Sequence, residues 1–126
     1  RFHLAKIEGQ SEVKLWGDGT PLREFMHVDD LSEAIFHLVK TETKESLFNV
    51  GSSSELSIFD LAKLIARTVG FEGNIAFDPE KPNGTPRKLL DSSLLQKTGW
   101  KAEISLEEGV KSVYDWYLNN HQEKVS

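Results

Sequence analysis

The sequence lacks cysteine altogether, which excludes disulfide bonds and thiolate metal ligands and is typical of cytoplasmic proteins. It also lacks any apolar run near the ~20 residues of a membrane span, and no signal-peptide pattern opens it. Positive charge is in the minority, because 15 lysines and arginines face 20 aspartates and glutamates, for a net charge of −5. These absences predict a cytoplasmic protein that binds neither a membrane nor nucleic acid.

What is present is the composition of one ordinary globular domain. The 126 residues are 38% hydrophobic and 28% charged, and a chain of that length buries roughly two thirds of its unfolded surface. The chain begins with Arg1, and residues 1–7 have the apolar spacing of the last turns of a helix that stops at Gly9. We therefore expect a piece of a longer protein, with part of the chemistry upstream of Arg1.

The first 40 residues predict a hairpin followed by a helix. Residues 13–16 and 23–28 alternate as strands do, and a Gly-Asp-Gly-Thr-Pro turn stands between them. Asp30 and Glu33 have the spacing of a capping box, and an apolar helical stripe follows them. This second pattern predicts a helix over residues 30–40.

The remainder alternates short strands with helices, which favours an α/β or α+β architecture of helices packed with short strands. Three of the four prolines fall within residues 78–88, which predicts an irregular loop there. Helix starts are predicted at the capping residues Ser57, Asp91 and Ser105, the last in a capping box with Glu108. The segments so predicted are strands at 47–50 and 74–77, helices at 58–69 and 91–97, a last helix from 106, and a frayed tail at 119–126.

Missing motifs exclude several kinds of site. No G-x-S-x-G is present, so the serines are interpreted as caps and turns. The four histidines, His3, His27, His37 and His121, lack the spacing of a zinc site. No G-x-G-x-x-G follows a strand, so the chain holds no pyrophosphate cradle for a dinucleotide. The residues alone therefore predict no catalytic, metal or cofactor site.

Two side chains near the predicted turn are candidates for binding a ligand. Trp16 could lie flat on a planar base or a sugar, or it could be half-buried in the hairpin. Arg23 could hold a diphosphate with its planar fork of donors. The alternative for Arg23 is an ion pair with Glu24 or Asp29.

A second pair of cations stands in the proline-rich loop. Arg87 and Lys88 follow a Gly-Thr-Pro turn and could form an anion pocket together with backbone N–H groups, or a solvated charge pair. His27, close to Asp29, is interpreted as a hydrogen-bonded structural histidine rather than a general base. Trp100 and Trp116 are expected to pack against the core.

Two stretches of the chain resemble a known family. Residues 16–30, W-G-D-G-T-P-L-R-E-F-M-H-V-D-D, resemble a signature in the C-terminal half of extended short-chain dehydrogenase/reductases that act on nucleotide sugars. Residues 81–91, K-P-N-G-T-P-R-K-L-L-D, with T-G-W at 98–100 and I-S-L-E-E-G at 104–109, are similar to the GDP-L-fucose synthase family within that superfamily. The resemblance runs from residue 1 to about residue 119.

The resemblance implies that residues 1–126 are the C-terminal, substrate-binding portion of an enzyme whose N-terminal Rossmann domain is missing here. Such enzymes convert GDP-4-keto-6-deoxy-D-mannose to GDP-L-fucose by 3,5-epimerisation and NADPH-dependent 4-reduction, and the family implies a cytoplasmic homodimer. Trp16, Arg23 and Lys88 fall on the family's positions for contacting the GDP-sugar and its diphosphate. The NADP motif and the catalytic residues lie upstream, so the portion alone is expected to be inactive.

Two alternatives to this interpretation stay open. Within the same superfamily, the chain could be a portion of another nucleotide-sugar epimerase or dehydratase. From a different class, it could be a non-catalytic binding module. A Gly-rich motif and a Tyr-x-x-x-Lys pair upstream in the reading frame would distinguish the enzyme from the module.

Overall fold

The computed structural model describes residues 1–121, and within them it has the mixture of helices and short strands that the sequence predicts. In chain order the elements are α1 Phe2–Ile7, β1 Glu12–Trp16, β2 Leu22–Glu24, α2 Val28–Lys40, β3 Glu55–Ser57, α3 Ile58–Val69, β4 Asn74–Asp78, β5 Arg87–Lys88, α4 Ser93–Lys97 and α5 Leu106–His121. None of these helices has both the length and the hydrophobicity needed to cross a membrane.

The strands form two separate small sheets. In the first, β1 and β4 pair in parallel, with Val13 opposite Ile75 and Trp16 opposite Asp78. In the second, β2 lies in the middle, antiparallel to β3 and parallel to β5. The predicted hairpin is therefore wrong, because β1 and β2 belong to different sheets, and the strand predicted at 23–28 is only three residues long.

The linker between β1 and β2 explains why they do not pair. A hairpin folds a strand back on itself through a tight turn, whereas here Gly17 and Gly19, with φ of 77° and 80°, carry the chain away from β1. The N–H of Gly17 donates to the carbonyl of Asp78 at 2.9 Å, which prolongs the contact with β4. The N–H of Phe59 donates to the carbonyl of Gly19, also at 2.9 Å. Hydrogen bonds to β4 and to the start of α3 thus hold the linker, and β2 does not fold back onto β1 as the hairpin prediction requires.

The core lies where α1 and α3 pack on β1. Phe2 and Phe71 meet edge to face, with ring centroids 5.6 Å apart. Small residues on α3 let the helix approach the sheet closely, because alanine presents little more than backbone. The buried residues of this cluster are Phe2, Ala5, Val13, Ala62, Ala66, Val69 and Phe71.

Asp30 has a different role from the helix cap that the sequence predicts. The cap of α2 is His27, whose Nδ1 accepts the N–H of Asp29 at 3.2 Å. Asp30 is 2% exposed, and its two carboxylate oxygens accept the N–H groups of Glu103 and Ile104, each at 3.1 Å. The prediction of an Asp30 cap is wrong because the carboxylate turns inward and binds the backbone that leads into α5.

Much of the apolar stripe of α2 faces outward. Ala34 is fully buried, but Ile35, Phe36 and Val39 are 54%, 63% and 79% exposed. The following residues 47–50 are irregular, so the strand predicted there is wrong. A strand needs a neighbour to satisfy its backbone groups, and within residues 1–121 no strand pairs with this segment.

Two of the three capping predictions in the second half are confirmed, and the one at Asp91 is wrong, because the N-cap of α4 is Ser92 and Asp91 accepts the N–H of Ser93 from one residue further upstream. Ser57 Oγ accepts the N–H of Asp60 at 3.0 Å, and α3 ends at Gly70 in the left-handed conformation. At the start of α5, Glu108 accepts the N–H of Ser105 at 3.2 Å, and Ser105 accepts the N–H of Glu108 at 3.3 Å. Each pattern depends only on residues close in the chain, so the sequence is sufficient to predict it.

Three further expectations need comment. The segment 78–88 is mostly irregular as predicted, but it contains the short strand β5. Trp116 does not pack against the core, because it lies on the outward side of α5 and is 59% exposed. Helix α5 continues to His121, beyond the start of the predicted tail at 119, and residues 122–126 of that tail lie outside the described residues.

We predict that Asp30→Ala destabilises the protein strongly. The substitution leaves two partly buried N–H groups without acceptors, so we expect the free energy of unfolding to fall by about 2–4 kcal/mol. Urea unfolding followed by circular dichroism measures this loss. Asp29→Ala is the matched control, since the Asp29 side chain is 73% exposed, and it should cost less than about 1 kcal/mol. Equal losses in the two variants would contradict the role given to Asp30.

Candidate functional site

The second sheet brings two of the predicted binding residues side by side. Arg23 is the middle residue of β2, and Lys88 is directly opposite it in the parallel pair with β5. Residues opposite each other in a sheet project to the same face, so both side chains share one face of the sheet. Trp16 is the last residue of β1 and is 65% exposed, which is contrary to the alternative of a half-buried tryptophan.

The segment 78–88 joins β4 to β5, which are the strands that pair with β1, carrying Trp16, and with β2, carrying Arg23. It begins at Asp78, the β-ladder partner of Trp16. Towards its end, the carbonyl of Pro86 accepts the N–H of Leu22 at 2.9 Å. A Cβ placed on Gly84 would lie 3.6 Å from a terminal nitrogen of Arg23, so the backbone of the loop passes close to the guanidinium.

The guanidinium of Arg23 has no carboxylate partner among residues 1–121. One of its nitrogens donates to the carbonyl of Leu22 at 2.6 Å. Of the two partners that the sequence suggests, Glu24 accepts backbone N–H groups instead, and Asp29 lies 3.5 Å from His27. The described residues likewise supply no carboxylate for Lys88, so this face carries two cations without counter-ions.

Arg87 is separated from this pair by the alternation of the strand. Its Nε donates to both carboxylate oxygens of Glu55 at 2.9 Å, and a terminal nitrogen lies 2.8 Å from one of them. The hydrogen bond to Glu55, and then its negative charge, raise the pKa of Arg87 above its ordinary value. Arg87 and Lys88 therefore do not act as one anion pocket, because successive residues of a strand point to opposite faces.

Glu24 organises the loops around the site, and sequence reasoning missed it. Its carboxylate accepts the N–H of Ser53 at 2.5 Å and the N–H of Leu90 at 3.3 Å. Ser53 has a φ of 59°, a left-handed conformation that serine rarely adopts without support. Glu24 lies opposite Glu55 on β3. Two acidic residues opposite each other in a sheet would indicate that each binds a partner elsewhere. The sequence shows this only when the pairing of β2 with β3 is already known.

Other polar residues near the site are already engaged. The side-chain and backbone hydrogen bonds from Thr20 lower the pKa of the Asp18 carboxyl below its ordinary range. His27 has the structural role predicted for it, since its Nε2 lies 3.0 Å from the hydroxyl of Ser112 in addition to capping α2. Across residues 1–121, no three histidine, aspartate or glutamate side chains are grouped so as to hold a metal ion.

Comparison with known sequences confirms the family resemblance. Residues 1–51 match the NAD dependent epimerase/dehydratase family. The chain is 50% identical over 120 residues to GDP-L-fucose synthase 1 of Arabidopsis thaliana and 45% identical over 129 residues to GDP-L-fucose synthase of Escherichia coli. Each alignment covers 95% of this chain but only 37% and 40% of the respective relative. The chain thus spans about two fifths of the length of the curated relatives it matches.

Solved structures agree with that similarity. MlghC, a GDP-mannoheptose C4 reductase from Campylobacter jejuni with NADP bound, is 32% identical with a TM-score of 0.81, over 92% of this chain and 41% of that chain. A GDP-L-fucose synthetase from Naegleria fowleri has a TM-score of 0.88 over 97% of this chain and 38% of that chain. At 23% identity this second likeness concerns the fold alone.

We predict that Glu24→Ala loosens the two loops that its carboxylate holds. Hydrogen bonds to a charged acceptor contribute about 1.5–3 kcal/mol, so amide hydrogen exchange at Ser53 and Leu90 should become roughly 10-fold faster or more. Exchange followed by NMR measures both amides separately. Glu42→Ala, in the exposed segment after α2, should leave them unchanged. Unaltered exchange at Ser53 in the Glu24 variant would contradict this role.

Proposed function

From the homology of this chain to one part of the GDP-L-fucose synthases, within the NAD dependent epimerase/dehydratase family, we propose that it holds the GDP-sugar in such an enzyme. The observation that carries the proposal is the pairing of Arg23 with Lys88 on one face of the sheet, and Trp16, exposed at the end of β1, is proposed as the third member of the site. A nucleoside diphosphate needs cations for its phosphates and a flat surface for its base or sugar. These three side chains supply both.

The two cations have different parts in this proposal. The guanidinium of Arg23 presents parallel N–H donors and fits two phosphate oxygens at once. Lys88 acts as a point charge beside it. The indole of Trp16 offers a large apolar face that is already rigid, so stacking costs little entropy. Arg87, held by Glu55 on the opposite face, is outside the proposed site.

The complete enzyme would carry out the chemistry with residues outside this chain. We propose that it converts GDP-4-keto-6-deoxy-D-mannose to GDP-L-fucose by 3,5-epimerisation and 4-reduction, and that it is a cytoplasmic homodimer. NADPH supplies the hydride when it is bound. We propose that the residues holding this cofactor lie outside the chain, since neither G-x-G-x-x-G nor Tyr-x-x-x-Lys occurs in the sequence. No catalytic residue is assigned to residues 1–126.

The outward face of α2 is proposed as the surface that receives a Rossmann domain. Ile35, Phe36 and Val39 leave a continuous apolar strip exposed, which is unusual for the surface of a finished domain. The irregular residues 47–50 lie next along the chain and have the apolar composition of a buried strand. Pairing with a strand of that domain would give this segment its missing hydrogen bonds.

A related enzyme with a different GDP-sugar is the second candidate. The chain is 39% identical to GDP-L-colitose synthase of Yersinia pseudotuberculosis over 88% of its length. The residues of the proposed site would recognise the diphosphate that two such substrates share, and they do not choose between the sugars. The higher identity to GDP-L-fucose synthases favours the first candidate.

We predict that GDP binding depends strongly on Arg23. Losing a hydrogen bond to a charged group costs about 1.5–3 kcal/mol, so Arg23→Ala should weaken GDP binding roughly 10- to 150-fold. Arg23→Lys should lose less, because lysine keeps the charge but not the fork. Lys88→Ala should also weaken binding, and affinity should fall with salt. Calorimetric titration of GDP into the chain, alone and in its complete reading frame, measures these constants.

The matched control is Arg87→Ala. It removes the same charge from the neighbouring residue of β5, but on the opposite face. Because only a distant, screened charge is lost, affinity should change by less than about threefold. Equal losses in Arg87→Ala and Lys88→Ala would show a general charge effect. Unchanged affinity in both Arg23→Ala and Lys88→Ala would overturn the site.

We also predict that the 126-residue chain alone has no reductase activity. Hydride transfer needs a bound nicotinamide and a proton donor, and the proposal places both outside this chain. NADPH oxidation with the 4-keto substrate, followed by absorbance, should equal a control without protein. Turnover above that control would contradict the proposal that the cofactor site and the proton donor lie outside this chain.

A further inference from the structure

Asn83 ties the loop between β4 and β5 to the turn that follows β1. Its side-chain oxygen accepts the N–H of Asp18 at 2.7 Å. The contact is possible only because residue 17 is glycine, since a Cβ there would overlap the carboxamide of Asn83 and approach its Cα to 3.2 Å. A side chain and a glycine from distant parts of the chain are thus fitted to each other.

This tie holds two parts of the proposed site together. Asp18 follows Trp16 by two residues, so the hydrogen bond fixes the turn at the exposed end of β1. Asn83 also precedes Gly84, whose backbone lies beside the guanidinium of Arg23. Displacing Asn83 would therefore change the distance between the aromatic surface and the cation.

The loop between β4 and β5 has few other contacts that could fix its position. Residues 79–86 are all exposed. The N–H groups of Glu80 and Lys81 bond only back to Asp78. In the described chain, two hydrogen bonds join residues 79–86 to residues 16–23: the one from the N–H of Asp18 to Asn83, and the one from the N–H of Leu22 to the carbonyl of Pro86 at 2.9 Å. The second bond lies next to β5, so the middle of the loop depends for its position on the carboxamide of Asn83.

We infer that Asn83 is a positioning residue for the nucleoside diphosphate site, setting the placement of Trp16 relative to Arg23 without touching the ligand itself. The inference rests on the proposed function and gives a role to a residue of the 81–91 stretch to which the sequence analysis assigned none. It also assigns a purpose to Gly17, which is to admit the carboxamide.

The test is GDP titration into wild type, Asn83→Ala, Arg23→Ala and the double variant. Removing one neutral hydrogen bond should weaken GDP binding roughly 3- to 10-fold in Asn83→Ala, with little change in the thermal unfolding midpoint. In the Arg23→Ala background the same substitution should cost less than about twofold, because the placement of an absent guanidinium no longer matters. A general structural defect would instead cost the same in both backgrounds.

Asn120→Ala is the matched control. It also removes one bond from an asparagine side chain to the backbone, at 2.8 Å to the carbonyl of Trp116, but on α5. It should leave GDP affinity unchanged. If wild type binds GDP and Asn83→Ala binds equally well, or if its loss is fully additive with that of Arg23→Ala, the inference is overturned. If wild type itself does not bind GDP, the proposed function fails first and the inference fails with it.

Discussion

The parallel contact between β2 and β5 is the interaction on which the rest of the site depends. It is only two residue pairs long, Leu22 with Arg87 and Arg23 with Lys88, yet it decides which cations share a face. Glu24 supports it from the same strand by holding the backbone of Leu90, just beyond β5. Two things therefore place Arg23 and Lys88 on the same face: the backbone pairing of β2 with β5, and the carboxylate of Glu24, which lies on the opposite face. No contact between the two cations is needed.

The sequence predicts well what is decided within one turn of chain. The caps at Ser57 and Ser105 and the stop at Gly70 follow from neighbouring residues, and all are present. Strand pairing is different, because partners are chosen between distant segments. The linker after Trp16 has the sequence of a hairpin turn, but its hydrogen bonds go to β4 and to the start of α3, which are distant in the chain. The role of Asp30 could not be predicted for the same reason, because the N–H groups that its carboxylate accepts lie more than 70 residues away in the chain.

The sequence supplies the residue types of the proposed site, and the structure adds how those residues are arranged. Trp16, Arg23 and Lys88 were chosen by chemistry and by resemblance, and the sheet places the two cations opposite each other. The pairing of Arg87 with Glu55 could not be deduced, because it needs both the order of three strands and their faces. Glu24 and Asn83 escaped for a related reason. Each acts on backbone groups of another segment, and such contacts leave no pattern in the order of residues.

The shortness of β5 makes its alignment with β2 a constraint on the preceding loop. A slip of β5 by one residue against β2 would turn every β5 side chain to the other face. Lys88 would then point towards Glu55, and Arg87 or Leu89 would take its place beside Arg23. Pro79 and Glu80 are exposed and lie outside both strands, so their side chains do not set this alignment, whereas a slip of one residue would invert the charge pattern of the sheet. The loop must therefore preserve two things, the alignment of β5 with β2 and the contact that Asn83 makes with Asp18.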